Sequence, residues 1–308
     1  MKLIYAGAPA FSVPPLAALR KAGFEVLAVL TQPDKPVGRK AVLTPTPLKA
    51  YALQEGIPVL EFARVRDNVP ALAAQGADIL VTCAYGQILT QEVLDAFPAG
   101  VYNIHASLLP RWRGASPIQH AILEGDSVTG VTIMRTDIGL DTGDVLLQKE
   151  LPIEQGETAE TLSQKLSELG AEAAAEALRL LERGAAQFTK QPQEGVTLCK
   201  KIRKEDCEVH FSQSAQTLSC LIRAMNPQPL AFSRLHGKLV NFYYAEVASE
   251  TGGGVCGQVV RADKTGIYVK AGEGCLRILQ MQAEGGKRMS AADFVNGRKV
   301  CVGDIFGG

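Results

Sequence analysis

Apolar runs alternate with amphipathic stretches through the first half of the chain, a pattern typical of strands alternating with helices. Pro14 and Pro15 open a helix that Gly23 ends, and Thr46 caps a second helix that stops at Gly56. Apolar runs predict strands at residues 3–6, 24–31, 77–84, 101–105, 131–136 and 145–151. This alternation favours an α/β domain, with a mostly parallel sheet covered by helices.

A long amphipathic helix follows, and the pattern then changes. Thr158 caps the helix, Gly184 ends it, and leucines and alanines at steps of three and four residues form one apolar stripe for core packing. Beyond it come short strand-like runs at 231–235, 239–247, 256–261, 266–269 and 275–281. Such runs with glycine-rich turns predict a small barrel or sandwich. We therefore expect a domain at 1–189, a linker with a basic edge at 190–208, and a smaller β domain at 209–308.

Composition adds an uneven charge distribution. The 308 residues are 46% hydrophobic and 21% charged with net charge zero, as in ordinary globular proteins. Residues 196–308, however, hold 15 basic and 10 acidic side chains. This excess indicates contact with a polyanion, although chance can also produce it. No apolar run reaches 18 residues, so we expect no membrane contact, and seven cysteines without a CxxC pair suggest reduced thiols in a cytoplasmic protein.

The strand at 101–105 carries the most informative polar residues. Asn103 and His105 are two positions apart, so both side chains project from the same face of the strand. One interpretation is an oxyanion donor beside a titratable imidazole, and the other is a hydrogen-bonded polar pair at a strand end. The remaining histidines, at 120, 210 and 236, are expected to be structural or exposed.

Two loops offer further chemistry. Residues 137–144 are rich in Asp and Gly, which suits a turn, but the loop can also bring a carboxylate to orient the His105 ring. Residues 32–45 form a long, basic connection with Lys35, Arg39 and Lys40, either a phosphate-binding loop or a solvated insertion. No set of side chains has convincing metal-ligand spacing.

The first turn argues against one common use of this sheet type. Residues 7–11 read Gly-Ala-Pro-Ala-Phe, and Pro9 stands where a dinucleotide-binding fingerprint needs its second glycine. A dinucleotide-binding oxidoreductase is therefore disfavoured.

Four segments carry a resemblance to a known family. Residues 103–115, NIHASLLPRWRGA, and residues 137–143, DIGLDTG, resemble the signature of 10-formyltetrahydrofolate-dependent formyltransferases. Residues 32–39, QPDKPVGR, and residues 286–294, GKRMSAADF, resemble the branch of that family that acts on initiator methionyl-tRNA.

The resemblance implies a Rossmann-like catalytic domain followed by a C-terminal β-barrel similar to an OB-fold that binds tRNA. It implies transfer of the formyl group of 10-formyltetrahydrofolate to the α-amino group of methionyl initiator tRNA. The ligand spacing noted above predicts no metal, and no protein partner is inferred. Asn103, His105 and Asp141 match the catalytic positions. The resemblance assigns folate binding to Ser107, Leu108, Leu109 and Pro110, and tRNA binding to the basic loop with Lys35, Arg39 and Lys40. With tRNA as the partner, the basic edge of the linker is expected to bind it as well, through Lys200, Lys201, Arg203 and Lys204.

Other functions stay open at this stage. The same chemistry can serve a small acceptor, such as glycinamide ribonucleotide or an amino sugar nucleotide, or water in a formyltetrahydrofolate hydrolase. The added basic domain argues against a small acceptor, because an enzyme that acts on one needs no surface for binding a polyanion. A different class is an RNA-binding module on an inactive scaffold, and the presence of Asn103, His105 and Asp141 argues against it.

Overall fold

The computed structural model describes residues 1–38, 41–249 and 253–307. Contacts divide the chain into two compact units. The first comprises Met1–Pro117, Val128–Pro152 and Ser163–Cys199, and the second comprises Ile118–Ser127, Ile153–Leu162 and Lys200–Gly308. None of the helices within the described ranges has the length and apolar character needed to span a membrane.

The first unit is built on a seven-stranded sheet with helices. Its sheet strands are β1 (Lys2–Gly7), β2 (Glu25–Thr31), β5 (Val59–Glu61), β6 (Ile79–Cys83), β7 (Val101–His105), β9 (Val128–Arg135) and β10 (Val145–Pro152). The order is β10-β9-β7-β6-β1-β2-β5, and only the pairs made by β9 are antiparallel. The prediction of an α/β domain with a mostly parallel sheet is confirmed.

Local sequence determines where the helices of this part of the chain begin and end. They are α1 (Val13–Lys21), α2 (Pro47–Gln54), α3 (Val69–Ala73), α4 (Gln91–Asp95), α5 (Pro117–Leu123) and α6 (Ala159–Glu182). Thr46 caps α2 as predicted, because its hydroxyl accepts the Lys49 N–H at 3.1 Å. Gly170 lets α6 approach the sheet closely, since a Cβ there would lie 3.2 Å from Ile104.

Two short strand pairs modify the predicted loops. Residues 32–45 contain a hairpin of β3 (Lys35–Val37) and β4 (Val42–Thr44), where the sequence alone indicated a long loop. Further along, β8 (Arg113–Gly114) pairs in parallel with β11 (Leu198–Cys199). Gly114 is required at this crossing, because its φ is +123° and a Cβ would collide with the Cys199 carbonyl oxygen.

The second unit contains an antiparallel sheet of β12 (Ala231–Leu235), β13 (Lys238–Ala248), β14 (Val259–Asp263), β15 (Gly266–Lys270), β16 (Cys275–Ala283) and β17 (Met289–Ser290). Helices α7 (Ala215–Ala224) and α8 (Ala291–Asn296) accompany it, and Ser214 caps α7 as predicted. Residues 303–307 hydrogen-bond both to Val259 in β14 and to Arg234 in β12, so they join the two edge strands of the sheet. This agrees with the predicted small β domain.

Candidate functional site

The Asn103 amide has a defined orientation in the first unit. Asn103 lies in β7, where it pairs in register with Thr82 of β6. The Thr82 hydroxyl donates to Asn103 Oδ1 at 2.8 Å, which turns the amide nitrogen the other way. Nδ2 lies 3.5 Å from Asp141 Oδ1, a long and weak contact. The N–H groups of Asn103 are therefore available to a ligand.

The His105 ring is buried and its neutral tautomer is fixed by a main-chain carbonyl. His105 Nε2 lies 2.9 Å from the carbonyl oxygen of Trp112. Because a carbonyl oxygen only accepts, Nε2 must carry the hydrogen. The lone pair of the neutral ring therefore sits on Nδ1, which lies 3.7 Å from Asp141 Oδ2. A base and a carboxylate thus face each other across a short gap.

Asp141 reaches this pair from the loop between β9 and β10. Its Oδ2 accepts the Gly114 N–H at 2.9 Å, which orients the carboxylate. The Asp141 backbone has φ +51°, a left-handed conformation that is rare for residues other than glycine. Such strain is common where a side chain is held for function. The structure therefore brings together Asn103, His105 and Asp141, which the sequence singled out on separate segments.

A cavity of about 620 Å³ opens at these three residues. This volume falls in the usual range for small-molecule sites. Its walls combine apolar side chains such as Leu89 and Ile138 with polar ones. Within the described ranges, Tyr85 Oη and Thr136 Oγ1 are buried without a hydrogen-bond partner, and both residues line the cavity. The described residues contain no group of three or more His, Cys, Asp or Glu side chains suited to a metal ion.

The other predicted site residues lie elsewhere. Ser107, Leu108, Leu109 and Pro110 follow β7, but none is among the described residues lining this cavity. Two of them make hydrogen bonds from the turn after β7: Ser107 Oγ donates to the Arg111 carbonyl oxygen at 2.6 Å, and Leu109 N donates to Thr132 Oγ1. Their predicted contact with folate stays a prediction.

The predicted basic residues divide between the two units. Lys35 is exposed in β3 of the first unit, where its ammonium donates to Gln32 Oε1 at 2.7 Å. In the second unit Lys200, Lys201, Arg203 and Lys204 are all exposed. Arg39 and Lys40 lie outside the described residues.

Sequence reasoning missed the wall formed by residues 84–89. This segment follows β6 directly and contributes six lining residues, Tyr85 and Leu89 among them. A signal was present, because ligands of parallel sheets bind beyond the carboxyl ends of the strands. Residues 77–84 were predicted as a strand, so the segment after them lies where a ligand is expected to bind. Its side chains carry no charge, and charged or titratable residues were the main signal for a site in the sequence.

The cysteines differ sharply in exposure, and this difference gives a testable prediction. All seven are free thiols, of which only Cys256 and Cys301 are exposed. Burial raises the pKa of Cys83 to about 12 and that of Cys199 to about 11, so both stay protonated near neutral pH. We expect iodoacetamide at pH 8 to modify two thiols rapidly, as counted by intact mass, and to modify the other five only on unfolding. Cys256→Ser with Cys301→Ser should abolish the rapid phase, whereas rapid labelling of Cys199 would contradict this assignment.

Comparison with known proteins identifies similar chains over the full length. A family model described as formyl transferase matches residues 1–178, and one described as formyl transferase, C-terminal domain, matches residues 201–299. The chain is 46% identical over 310 residues to a protein of Chromobacterium violaceum named methionyl-tRNA formyltransferase, covering 100% of both. It is 45% identical to a protein of the same name from Neisseria gonorrhoeae strain FA 1090, covering 98% of this chain and 99% of that one.

Among solved structures, the chain resembles an N-formyltransferase from Helicobacter canadensis, described as a complex with folinic acid and dTDP-3-aminofucose. The TM-score is 0.70 at 18% identity, covering 94% of this chain and 100% of that one. At this identity the likeness concerns the fold.

Proposed function

This chain belongs to the formyl transferase family, and we propose that it transfers the formyl group of 10-formyltetrahydrofolate to the α-amino group of methionine esterified to initiator tRNA. The observation that carries the chemistry is the convergence of the Asn103 amide, the His105 imidazole and the Asp141 carboxylate beside one cavity. The volume and mixed lining of that cavity suit the ring system of a folate.

Asn103 is the group suited to stabilise the developing oxyanion. The folate supplies the formyl carbon and accepts a proton on the nitrogen that leaves. Asn103 Nδ2 donates to the formyl oxygen as attack by the amine gives that oxygen negative charge. Thr82 holds the amide in the orientation that this requires. One such donor is typically worth about 3–4 kcal/mol of barrier.

His105 and Asp141 are suited to move the proton. The amine attacks as the neutral base and becomes positively charged when the new C–N bond forms. His105 Nδ1 carries the free lone pair and takes that proton. The negative charge of the Asp141 carboxylate stabilises the imidazolium that forms. His105 then returns the proton to the folate nitrogen as the old C–N bond breaks. The ring ends in its starting state, so protons and charge balance over the cycle.

The choice of tRNA as acceptor rests on the relatives and on the basic side chains. Two relatives that match at least 98% of the chain carry the name methionyl-tRNA formyltransferase. In our proposal Lys35, Arg39, Lys40 and the basic edge at 200–204 contact tRNA phosphates, and residues 209–308 form a tRNA-binding domain after a linker at 190–208. We also propose that residues 107–110 contact the folate. A cytoplasmic location follows from this substrate.

A labelled-formyl assay tests the proposed reaction. The purified chain is incubated with formyl-labelled 10-formyltetrahydrofolate and methionyl initiator tRNA, with glycinamide ribonucleotide and an amino sugar nucleotide as competing acceptors. We expect label on the methionine of the tRNA. Label only on a small amine or in free formate would reject tRNA as the acceptor. A 10-formyltetrahydrofolate that keeps its formyl group in the presence of all three acceptors would reject formyl transfer.

The binding of tRNA should weaken steeply with salt. Because Lys and Arg displace counterions from phosphates, log Kd should rise linearly with log salt concentration, by about 0.7–0.9 per phosphate contact. Changing Lys200, Lys201, Arg203 and Lys204 to Gln should lower this slope by about one unit per contact removed. Lys21→Gln, at an exposed position at the end of α1, serves as the control. A slope near zero in the unaltered chain would contradict the proposed phosphate contacts.

A further inference from the structure

Gln191 follows the long helix α6 and is buried against the site, although it lies outside every motif singled out in the sequence. Only 8% of its surface is exposed. Its Oε1 accepts from Arg113 Nε at 3.0 Å and from Arg113 Nη2 at 2.8 Å. Its Nε2 donates to the carbonyl oxygens of Asp141 at 2.9 Å and Gly143 at 2.7 Å. One carboxamide therefore connects β8 to the loop that carries Asp141.

The chemistry of these four contacts requires an amide. The guanidinium of Arg113 needs an acceptor, and the two carbonyl oxygens need donors, so neither a carboxylate nor an ammonium satisfies both sides. Asp141 also holds the left-handed backbone conformation described above, which other contacts must maintain. The donor to its carbonyl oxygen is suited to do so.

The same segment also supports the residue that fixes the His105 tautomer. Thr197 Oγ1 accepts the Trp112 N–H at 2.8 Å, and the Thr197 carbonyl oxygen accepts the Arg113 N–H at 3.0 Å. Trp112 in turn presents its carbonyl oxygen to His105 Nε2. The segment 191–199 therefore hydrogen-bonds both to the loop that carries Asp141 and to the residue that contacts the His105 ring. Its residues do so without lining the cavity themselves.

We propose that Gln191 is a positioning residue, whose carboxamide holds the Asp141 loop against β8 so that Asp141 Oδ2 faces His105 Nδ1. This inference rests on the proposed function, because it gives Gln191 a part in the proton transfer assigned to His105 and Asp141. Gln191 itself does not line the cavity that holds the reacting groups. Its effect should therefore fall on turnover and leave substrate binding largely unchanged.

Gln191→Glu is the decisive variant. It keeps an acceptor for Arg113 and nearly the same shape, but it sets a carboxylate against the carbonyl oxygens of Asp141 and Gly143. We expect the variant to fold, with kcat for formyl transfer lowered about 10- to 100-fold, the usual effect of losing a partner that orients a site residue. The KM values for folate and tRNA should stay within about threefold of those of the unaltered chain. Gln193→Glu is the matched control, since Gln193 is exposed two positions away.

A double variant separates positioning from a general structural role. In single turnovers with the enzyme in excess, Gln191→Glu should cost at most about threefold when Asp141→Asn is already present, because the residue acts through Asp141. If Gln191→Glu lowers the single-turnover rate by its full effect of about 10- to 100-fold in the Asp141→Asn background as well, the proposal is overturned. A kcat within twofold of normal, or a Gln191→Glu chain that does not fold, would also overturn it. Failure of the proposed function looks different, since the unaltered chain would then transfer no label to tRNA.

Discussion

Replacing His105 with glutamine is expected to lower kcat for formyl transfer at least ~100-fold, the usual scale for an acid–base group. The glutamine amide can still donate to the Trp112 carbonyl oxygen that His105 Nε2 now contacts. What the variant lacks is Nδ1, the ring atom that faces Asp141 and takes the proton from the amine. The loss should therefore be in turnover, while the protein stays folded and the KM for tRNA changes little.

The controls for this prediction separate proton transfer from general damage. His210→Gln changes an exposed histidine of the second unit and should leave the rate unchanged. Circular dichroism and thermal unfolding should show that His105→Gln keeps the native fold. Near-normal turnover in a folded His105→Gln chain would remove His105 from the mechanism. A rise in KM with unchanged kcat would instead assign the ring to substrate binding.

Much of the fold was predictable because the chain's local signals agree with one another. Buried strands of the first unit appear as continuous apolar runs, and Thr46 and Ser214 precede helices that they do cap. The direction of β9 was not predicted, because an apolar run reads the same for either orientation. The connection of nine residues from β9 to β10 indicates that these two strands are antiparallel to each other, since a parallel pair needs a crossover of a dozen or more residues, but it does not indicate which of them runs against β7.

The candidate site was only half visible in the sequence, for geometric reasons. Asn103 and His105 share a strand, so a period of two places them on one face. Asp141 lies in a loop, and its backbone has a left-handed conformation. The hydrophobic periodicity of the sequence does not predict such a conformation, so it did not predict where the Asp141 side chain lies. Gln191 follows α6 in a stretch without apolar pattern, and its partner Asp141 is 50 residues away. Contacts of that kind are set by the folded backbone.

Replacing Asn103 with leucine should lower kcat by about 10²- to 10³-fold, the effect typical of losing one oxyanion donor. Leucine has nearly the shape of asparagine but no N–H, so the oxyanion loses its donor while the cavity keeps its walls. The KM for folate should change little, because the uncharged formyl oxygen of the bound folate needs this donor much less than the transition state does.

Thr82→Val provides the graded comparison for Asn103. It removes the hydroxyl that holds Asn103 Oδ1 at 2.8 Å but leaves the Asn103 donor in place. The amide can then rotate, and part of the population presents its oxygen to the developing oxyanion. We expect a smaller loss, up to roughly tenfold, because the rate falls only in proportion to the fraction of molecules that keep the amide in the donating orientation, and a tenfold loss already requires that about nine molecules in ten are flipped. Equal losses in Thr82→Val and Asn103→Leu would mean that packing of β6 against β7, and not the amide donor, sustains the rate.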